Sequence, residues 1–289
     1  MMTSSAKGPE LQKGNGPHRE AEPAPEGVTA GVFDQTWDGI ARAFRDSDHP
    51  LPPPWQDIFG PLRNGIRDGF MVVGQFGQSI DARIATASGH SHYINGESGL
   101  AHLHRLRALV DAVVVGVGTA IADDPQLTVR RVAGPSPARV VIDPNGRIPA
   151  AARMLANDGV RRLVITRETN GRDLPPGVER IGMPAPDGRI APASILEAMA
   201  QRGLRRILIE GGADTVSRFL AAKCLDRLHV VIAPIIIGAG PSSVTLPPIA
   251  RLDEAMRAPI RAHVLGEEVL LDCDLTDQRI SIGVARTSR

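Results

Sequence analysis

The sequence has few cysteines and lysines and no long hydrophobic run. Its two cysteines, Cys224 and Cys273, are too few for a zinc site or a disulfide framework, which indicates a reducing, cytoplasmic setting. No run of 18 apolar residues occurs, and the N-terminus lacks the apolar core of a signal peptide, so we expect no membrane association. Lysine occurs only at Lys7, Lys13 and Lys223, which leaves Lys223 as the Schiff-base candidate beyond the N-terminal tail.

The charges of the chain nearly cancel. The formal net charge of the 289 residues is +1, so no global field favours nucleic acid or a membrane surface as a partner. Nearly all the positive charge is arginine, whose planar guanidinium suits phosphates and carboxylates, although a GC-rich genome gives the same bias. The length accommodates one large domain or two small ones.

The composition separates an N-terminal extension from a folded domain. Residues 1–30 are dominated by Gly, Pro, Glu, Lys and Ser and are predicted to be disordered. Apolar residues at helical spacing between Asp34 and Arg45 predict a short amphipathic helix that packs on the main domain or on a second subunit. The prolines from Pro50 to Pro54 predict an extended linker, and Trp55 to Leu62 could anchor it. We predict an extension over residues 1–68, a folded domain over 69–278 and a C-terminal tail over 279–289.

Strand and helix patterns alternate after residue 69, which predicts an α/β fold. The last part of the chain has strands without intervening helices, so the sheet should be mixed and mostly parallel, with helices on both faces and an antiparallel edge. The predicted helices span 97–110 and 193–202, with another ending near 223. The predicted strands span 70–76, 112–115, 138–142, 162–166, 178–183, 206–209 and 227–237, with a closing strand or hairpin over 263–275.

The stretch from Arg206 to Ser217 is the strongest candidate for a ligand site. A buried strand ends at Glu210 and is followed by Gly211, Gly212 and a helix pattern. Glycines at such a turn let a ligand approach the backbone, and the free N–H groups of the next helix suit phosphate. Glu210 would face the crevice at the carboxyl ends of the strands. A tight turn with a solvated glutamate is the alternative.

A second glycine pair imitates a dinucleotide fingerprint. Gly116 and Gly118 follow a predicted strand, and Asp143 ends the next strand, where a ribose-binding carboxylate belongs. Ile121, however, occupies the third glycine position and is too bulky for close helix–strand packing. Pro125 follows soon after and leaves no amphipathic helix long enough for a crossover. We therefore disfavour a Rossmann unit.

The histidines do not form a convincing metal site. His102 and His104 lie two apart on a predicted helix and would point to nearly opposite faces, so they could not chelate together. His90 and His92 have no carboxylate or cysteine at metal-ligand spacing beside them. We predict no metal.

The Asp123-Asp124-Pro125 run has two interpretations, a turn or cap and a functional carboxylate pair. Arg107 and Arg130 could converge on a phosphate, and a solvated surface role is about equally plausible for either arginine alone.

Several motifs occur together in order and resemble one family. They are Gly77-x-Ser79-x-Asp81, Ala87-Ser88-Gly89-x-Ser91, Arg107, the run from Thr119 to Arg130, Val141-Ile142-Asp143 and Glu210-Gly211-Gly212. Residues 69–275 thereby resemble the reductase domain of the bacterial riboflavin-biosynthesis deaminase/reductase family, RibD. The resemblance implies a dihydrofolate-reductase-like α/β fold without the deaminase domain, and a small phosphorylated molecule as the substrate. We also expect a homodimer. It implies NADPH-dependent reduction of the ribosyl group of 5-amino-6-(5-phosphoribosylamino)uracil to ribityl.

The resemblance also implies roles for individual residues. Glu210 is the implied catalytic residue. The implied substrate contacts are Ser91, Arg107, Leu127, Arg130 and Glu210, with the arginines on the ribose phosphate. The implied cofactor contacts are Gly77, Tyr93, Thr119, Asp123, Gly211, Gly212, Ala213, Asp214 and Thr215.

Two departures from the family pattern bear on the substrate. Gln75 stands where the family usually has lysine, and Ala82 stands where glycine is usual. The lost positive charge leaves two alternatives open. One is a related reductase of a pterin- or pyrimidine-like compound, and the other is a nucleotide-binding module without turnover.

Overall fold

The computed structural model describes residues 37–46, 50–91 and 94–283. Their strands are β1 (Met71–Gln78), β2 (Ala112–Gly116), β3 (Ala138–Ile142), β4 (Arg162–Arg167), β5 (Val178–Met183), β6 (Arg206–Glu210), β7 (Arg227–Ile232), β8 (Ile260–Leu265) and β9 (Glu268–Asp274). Their helices are α1 (Ile40–Asp46), α2 (Trp55–Asn64), α3 (Glu97–Leu109), α4 (Val117–Asp123), α5 (Pro192–Ala200) and α6 (Ala213–Ala221).

The nine strands form one sheet in the order β5-β4-β3-β2-β6-β1-β7-β9-β8. Strands β1 to β7 run parallel, and the β8–β9 hairpin adds an antiparallel edge beside β7. The parallel strands bring their carboxyl ends to one edge, where open α/β sheets bind ligands. The predicted mixed, mostly parallel α/β sheet is confirmed.

The central strands are buried on both faces, because helices cover both sides of the sheet. Val114 and Ile209 pack in the core that α5 and α6 complete. Val113 and Leu208 point the other way, into the core that α1 to α4 complete. This double burial explains the continuous apolar runs of the strands, in place of an alternating pattern.

The apolar segments before residue 69 belong to the second of these cores. The ring of Trp37 lies edge-on to Trp55 and Phe59, with centroid distances of 5.2 and 5.7 Å. The Trp37 indole N–H also donates to Ala133 O at 2.7 Å. The predicted amphipathic segment therefore packs on the main domain. Its helix begins only at Ile40, because Gly39 has a φ of +87° that interrupts a helical path.

Residues 1–30, predicted to be disordered, lie outside the described residues, as do residues 34–36 of the predicted helix and 284–289 of the predicted tail. The segment from Pro50 to Pro54 is more than an extended linker. Leu51 is 2% exposed, and its N–H donates to Gln56 Oε1 at 2.8 Å. The prolines thus lead directly into α2.

Two strand boundaries differ by three or more residues from the sequence-based prediction. Strand β7 ends at Ile232, well before residue 237, because its neighbour β1 ends at Gln78, the pairing partner of Ile232. The hairpin begins at Ile260, three residues earlier than predicted, because Ile260 pairs with Cys273. Among the described residues, no helix is both long and apolar enough to cross a bilayer.

Candidate functional site

A buried ion pair joins α3 to the end of β6. Arg107 Nε donates to Glu210 Oε1 at 2.8 Å, and Arg107 Nη2 donates to Glu210 Oε2 at 2.5 Å. Both residues are 6% exposed, and Arg107 Nη1 donates to Thr128 O at 3.2 Å. A bidentate pair fixes both side chains in one geometry. Glu210 is therefore not a solvated turn residue.

The ion pair begins a row of polar side chains on the sheet face below α3. The register pairs Glu210 with Gln75, Gln75 with His229, and His229 with Asp272 across four neighbouring strands. Directly paired residues share one face of a sheet. All four are at most 6% exposed. Gln75 thus lies between the Glu210 ion pair and a second buried network.

That second network joins His229 and Asp272 to groups on α3 and β7. His102 Nε2 lies 3.0 Å from His229 Nδ1, and Arg227 donates twice to Asp272, at 2.7 and 2.6 Å. Burial alone would raise the pKa of Asp272, but the contacts from His229 and Arg227 lower it well below its usual value. Burial, followed by the neighbouring His229, lowers the pKa of His102, so His102 is neutral. The network supports the strands beside Gln75.

Two strand–helix turns lie side by side at the carboxyl ends of β2 and β6. A Cβ on Gly212 would lie 2.7 Å from Thr119 Oγ1, and one on Gly116 would lie 2.3 Å from Thr215 Oγ1. Each threonine therefore packs against the glycine of the other turn. Gly211 has a φ of +75°, a conformation that favours glycine. Glycine occupies the N-cap position of both helices and offers no side chain to their first N–H groups, which suit an anionic ligand.

The crevice continues between the ends of β1 and β6. The pairing of these strands stops at Gln75 and Glu210. Gly77 lies two residues beyond Gln75 in β1, and Gly212 lies two residues beyond Glu210, after the end of β6. The protein's own packing requires glycine at both positions, because a Cβ on Gly77 would lie 1.4 Å from Asn95 Oδ1 and one on Gly212 would lie 2.7 Å from Thr119 Oγ1.

Arg130 lies in the loop after α4, and α3 fixes its backbone. The Arg130 backbone N–H donates to His104 Nδ1 at 2.9 Å. Neutral groups hold the Arg130 guanidinium in place. Its Nη1 donates hydrogen bonds to Gln126 Oε1 at 2.6 Å and to Thr128 Oγ1 at 2.9 Å. Burial, and then a cluster of nearby cations, lowers the pKa of Arg130; the cations are Arg107, Arg153 and Arg131.

The predicted substrate residue Leu127 occupies an unexpected environment. Its side chain is 1% exposed and packs in the core beneath α1 to α4. Its φ of +57° is uncommon for leucine and marks a tight bend of the loop. The Leu127 side chain therefore belongs to the core, and its contact with a substrate stays a prediction.

The other predicted site residues surround the same edge of the sheet. Ser91 is half-buried in the β1–α3 loop, and Asp123 is exposed at the end of α4. Within the described residues, no hydrogen bond joins either of them to the Arg107–Glu210 pair. Tyr93 lies outside the described residues. The first turn of α6 contains Ala213, Asp214 and Thr215.

Two residues with evident roles were missed by the sequence analysis. His104 lies three residues before Arg107, a spacing that places both on one side of a helix, so the pattern could have indicated it. The two histidines of α3 do face apart, because His102 contacts the sheet and His104 the Arg130 loop. Asn95 had no local signal, because its principal partner, Glu268, is 173 residues away.

The crevice at the strand ends, with its buried ion pair and two glycine turns, defines an α/β protein of the nucleotide- or substrate-binding class. Residues 71–264 match the family model of the RibD C-terminal domain. The chain belongs to the RibD C-terminal domain family.

Known relatives agree with this assignment. The chain is 34% identical to 2,5-diamino-6-ribosylamino-4(3H)-pyrimidinone 5′-phosphate reductase of Methanothermobacter thermautotrophicus, over 70% of this chain and 96% of that protein. It is 32% identical to riboflavin biosynthesis protein RibD of Mycobacterium tuberculosis, over 68% of this chain but only 53% of that protein.

A solved structure supports the same fold. The deaminase/5-amino-6-(5-phosphoribosylamino)uracil reductase of Thermotoga maritima matches with a TM-score of 0.63 and 25% identity, over 75% of this chain and 59% of that one. The predicted dihydrofolate-reductase-like fold of the RibD reductases is therefore confirmed.

Proposed function

We propose that this protein is an NADPH-dependent reductase of riboflavin biosynthesis. It reduces the ribosyl group of a 5-phosphoribosylamino-pyrimidine to ribityl by hydride transfer. The observation that carries the proposal is the buried Arg107–Glu210 pair, which lies directly beside two uncapped helix N-termini. An anionic cofactor and a polar substrate can meet at that point.

The two glycine turns fit a dinucleotide cofactor. Close packing of Thr119 on Gly212 and of Thr215 on Gly116 brings the two helix N-termini together, and their open N–H groups suit a pyrophosphate. NADPH supplies a hydride when it is bound. The chain's own part is to bind the phosphates, align the two reacting partners and exclude water.

Arg130 is the better candidate for the substrate phosphate. The charge of Arg107 is neutralised by Glu210, and its three nitrogens already donate to protein oxygens. Arg130 bonds only to neutral side chains within the described residues, and its neighbour Arg153 adds positive charge, whereas Arg131 is paired with Glu97. A phosphate would be stabilised there by charge-assisted hydrogen bonds. The Arg107–Glu210 pair then orients the sugar and the pyrimidine.

Two pyrimidines are candidate substrates, and they differ in whether the ring has been deaminated. The relative from Methanothermobacter thermautotrophicus is named for the 2,5-diamino-pyrimidinone, and the Thermotoga maritima protein for the 5-amino-uracil. The match spans 96% of the Methanothermobacter thermautotrophicus protein, which favours the diamino compound as the substrate. Gln75, a neutral carboxamide in register with Glu210, favours testing related pyrimidines and pterins as well.

The deciding experiment measures NADPH oxidation by the purified protein with each of the two phosphoribosylamino-pyrimidines. Turnover with one of them, with the ribityl product identified by mass spectrometry, is the expected result. Turnover only with a different pterin or pyrimidine would replace the substrate. NADPH binding without turnover of any compound would favour the non-catalytic nucleotide-binding module.

We also propose that the protein is a homodimer. The open edge strand β8 carries exposed apolar side chains, since Ile260 and Val264 are each 57% exposed. Light scattering after gel filtration tests the dimer. A monomer at micromolar concentration would contradict it.

A further inference from the structure

A buried glutamate from the β8–β9 hairpin caps α3. Glu268 is 3% exposed. Its Oε1 accepts hydrogen bonds from Asn95 Nδ2 at 2.8 Å and from the Gly96 N–H at 3.0 Å, and its Oε2 accepts one from the Gly99 N–H at 2.6 Å. No side chain of α3 caps its own first turn. The Glu268 carboxylate therefore satisfies N–H groups that the helix leaves open, where a negative charge is favoured.

The same carboxylate fixes the orientation of the Asn95 carboxamide. Asn95 Nδ2 donates to Glu268 Oε1 and also lies 3.4 Å from Val231 O. An ionised carboxylate and a backbone carbonyl can only accept hydrogen bonds. Both neighbours therefore require the NH₂ group, and Asn95 Oδ1 must point away from them.

Asn95 Oδ1 points to the end of β1. A Cβ on Gly77 would lie 1.4 Å from this oxygen, so only glycine fits beneath it. Gly77 is two residues beyond the last pair of β1 with β6, at the gap opposite Gly212. Asn95 is half-buried, and its carboxamide oxygen lies beside Gly77 at this end of the sheet.

We propose that Asn95 contacts the bound ligand and that Glu268 is the positioning residue that directs the Asn95 oxygen toward it. A fixed acceptor oxygen recognises an N–H₂ donor. Two groups have this chemistry, the carboxamide of a nicotinamide and an amino group of the pyrimidine. The identity of these ligands rests on the proposed function, whereas the geometry of Asn95 and Glu268 does not.

The test compares Asn95→Ala, Glu268→Gln and the double variant. Glutamine at position 268 can donate as well as accept, so it no longer dictates the orientation of Asn95. We expect each single change to weaken ligand binding about three- to tenfold, the size of one hydrogen bond. The double variant should lose no more ligand affinity than the single variant with the larger loss, because Glu268 acts through Asn95.

Two measurements locate the donor. Fluorescence titration gives the NADPH Kd, and steady-state kinetics at saturating NADPH give the KM of the pyrimidine. If the donor is the nicotinamide amide, the Asn95→Ala effect appears in the Kd and disappears with the reduced 3-acetylpyridine analogue, which lacks the N–H₂ group. If the donor is on the pyrimidine, the effect appears in the KM.

Asp111→Asn is the matched control. Asp111 also accepts two backbone N–H groups, those of Arg205 and Arg206 at 2.9 and 2.8 Å, but at the opposite edge of the sheet. The Asp111→Asn substitution should lower the melting temperature and leave the NADPH Kd and the pyrimidine KM unchanged. If the Asn95 and Glu268 variants behave in the same way, Glu268 is only a helix cap and the inference is overturned. Additive losses in the double variant would overturn the link between the two residues. A parent protein that binds no NADPH would overturn the proposed function itself.

Discussion

His104 accepts the backbone N–H of Arg130 at 2.9 Å, so α3 determines where the loop presents this arginine. The bond needs a lone pair on Nδ1, which a protonated imidazole lacks. Burial, followed by the charges of Arg107, Arg130 and Arg131, lowers the pKa of His104 to about 3. His104 is therefore a neutral acceptor throughout the physiological range.

Loss of this acceptor should affect the phosphorylated substrate selectively. We expect His104→Leu to raise the KM of the pyrimidine about tenfold, because the Arg130 loop loses a buried hydrogen bond and its fixed position. His104→Gln, which keeps an acceptor oxygen, should recover part of the loss. The NADPH Kd should not change. Equal effects on KM and on the NADPH Kd would contradict a role specific to the Arg130 loop.

His104 should also make the fold sensitive to mild acid. The unfolded chain takes up a proton near the ordinary histidine pKa of about 6.5, whereas the folded chain takes it up only at about 3. The free energy of unfolding therefore falls as the pH decreases between these values, by up to about 1.4 kcal/mol per pH unit. We would measure the free energy of unfolding by urea titration at each pH from 7 to 4. Its decrease with falling pH should be less steep in His104→Gln than in the parent protein. Identical slopes for the two proteins would contradict the prediction.

Glu210→Gln should reduce turnover by an order of magnitude or more, because the carboxylate orients the groups around the reacting sugar. The change also leaves the buried Arg107 charge uncompensated, so the melting temperature should fall. NADPH should still bind, because its phosphates depend on the α4 and α6 N-termini. Turnover within about twofold of the parent would show that Glu210 is not part of the site.

The double variant Arg107→Leu/Glu210→Leu separates stability from function. Replacing a buried ion pair by apolar residues is often neutral for stability. We therefore expect the melting temperature of the double variant to return toward that of the parent protein, while its turnover stays as low as that of Glu210→Gln. Recovery of both would mean that the pair serves only the fold.

We predict a preference for NADPH over NADH, with Arg167 as the determinant. Arg167 ends β4, whose carboxyl end lies on the same side of the sheet as the crevice, and its Nε donates to Pro144 O at 3.1 Å, which leaves the other nitrogens to meet a 2′-phosphate. Arg167→Ala should weaken NADPH binding more than NADH binding. The control is Arg205→Ala, an exposed arginine at the opposite edge. Equal losses for the two cofactors would show that Arg167 is a surface charge.

Truncation should separate the N-terminal tail from the aromatic cluster. Deleting residues 1–30 should barely change the melting temperature, because the segment contains almost nothing apolar. Deleting residues 1–65 also removes Trp37, Trp55 and Phe59, which are at most 4% exposed. Losing a single buried aromatic side chain costs about 3–5 kcal/mol, against a typical total of about 5–15 kcal/mol. The longer deletion should therefore not fold, which circular dichroism would check.

The sequence predicts the sheet better than it predicts the contacts across it. The runs at 112–115 and 206–209 were identified because strands buried on both faces have a distinctive composition. The end of β7 was predicted five residues too late, because a strand ends where its neighbours end, and no local pattern contains that information. The Glu210 turn was found from its glycines. Its bond to Arg107, 103 residues away, and the link from Glu268 to Asn95 depend on the fold alone.

The position of β1 in the sheet has a consequence for how the protein is made. Among the described strands it is the first to leave the ribosome, yet it lies between β6 and β7, which follow more than 120 residues later in the sequence. Until residue 232 has emerged, β1 has an open edge on at least one side, and such edges expose the nascent chain to aggregation. Pairing at this sequence distance is also slow. We therefore expect the unpaired β1 to make the protein dependent on chaperones during synthesis. We expect C-terminally shortened chains to give poor yields for the same reason.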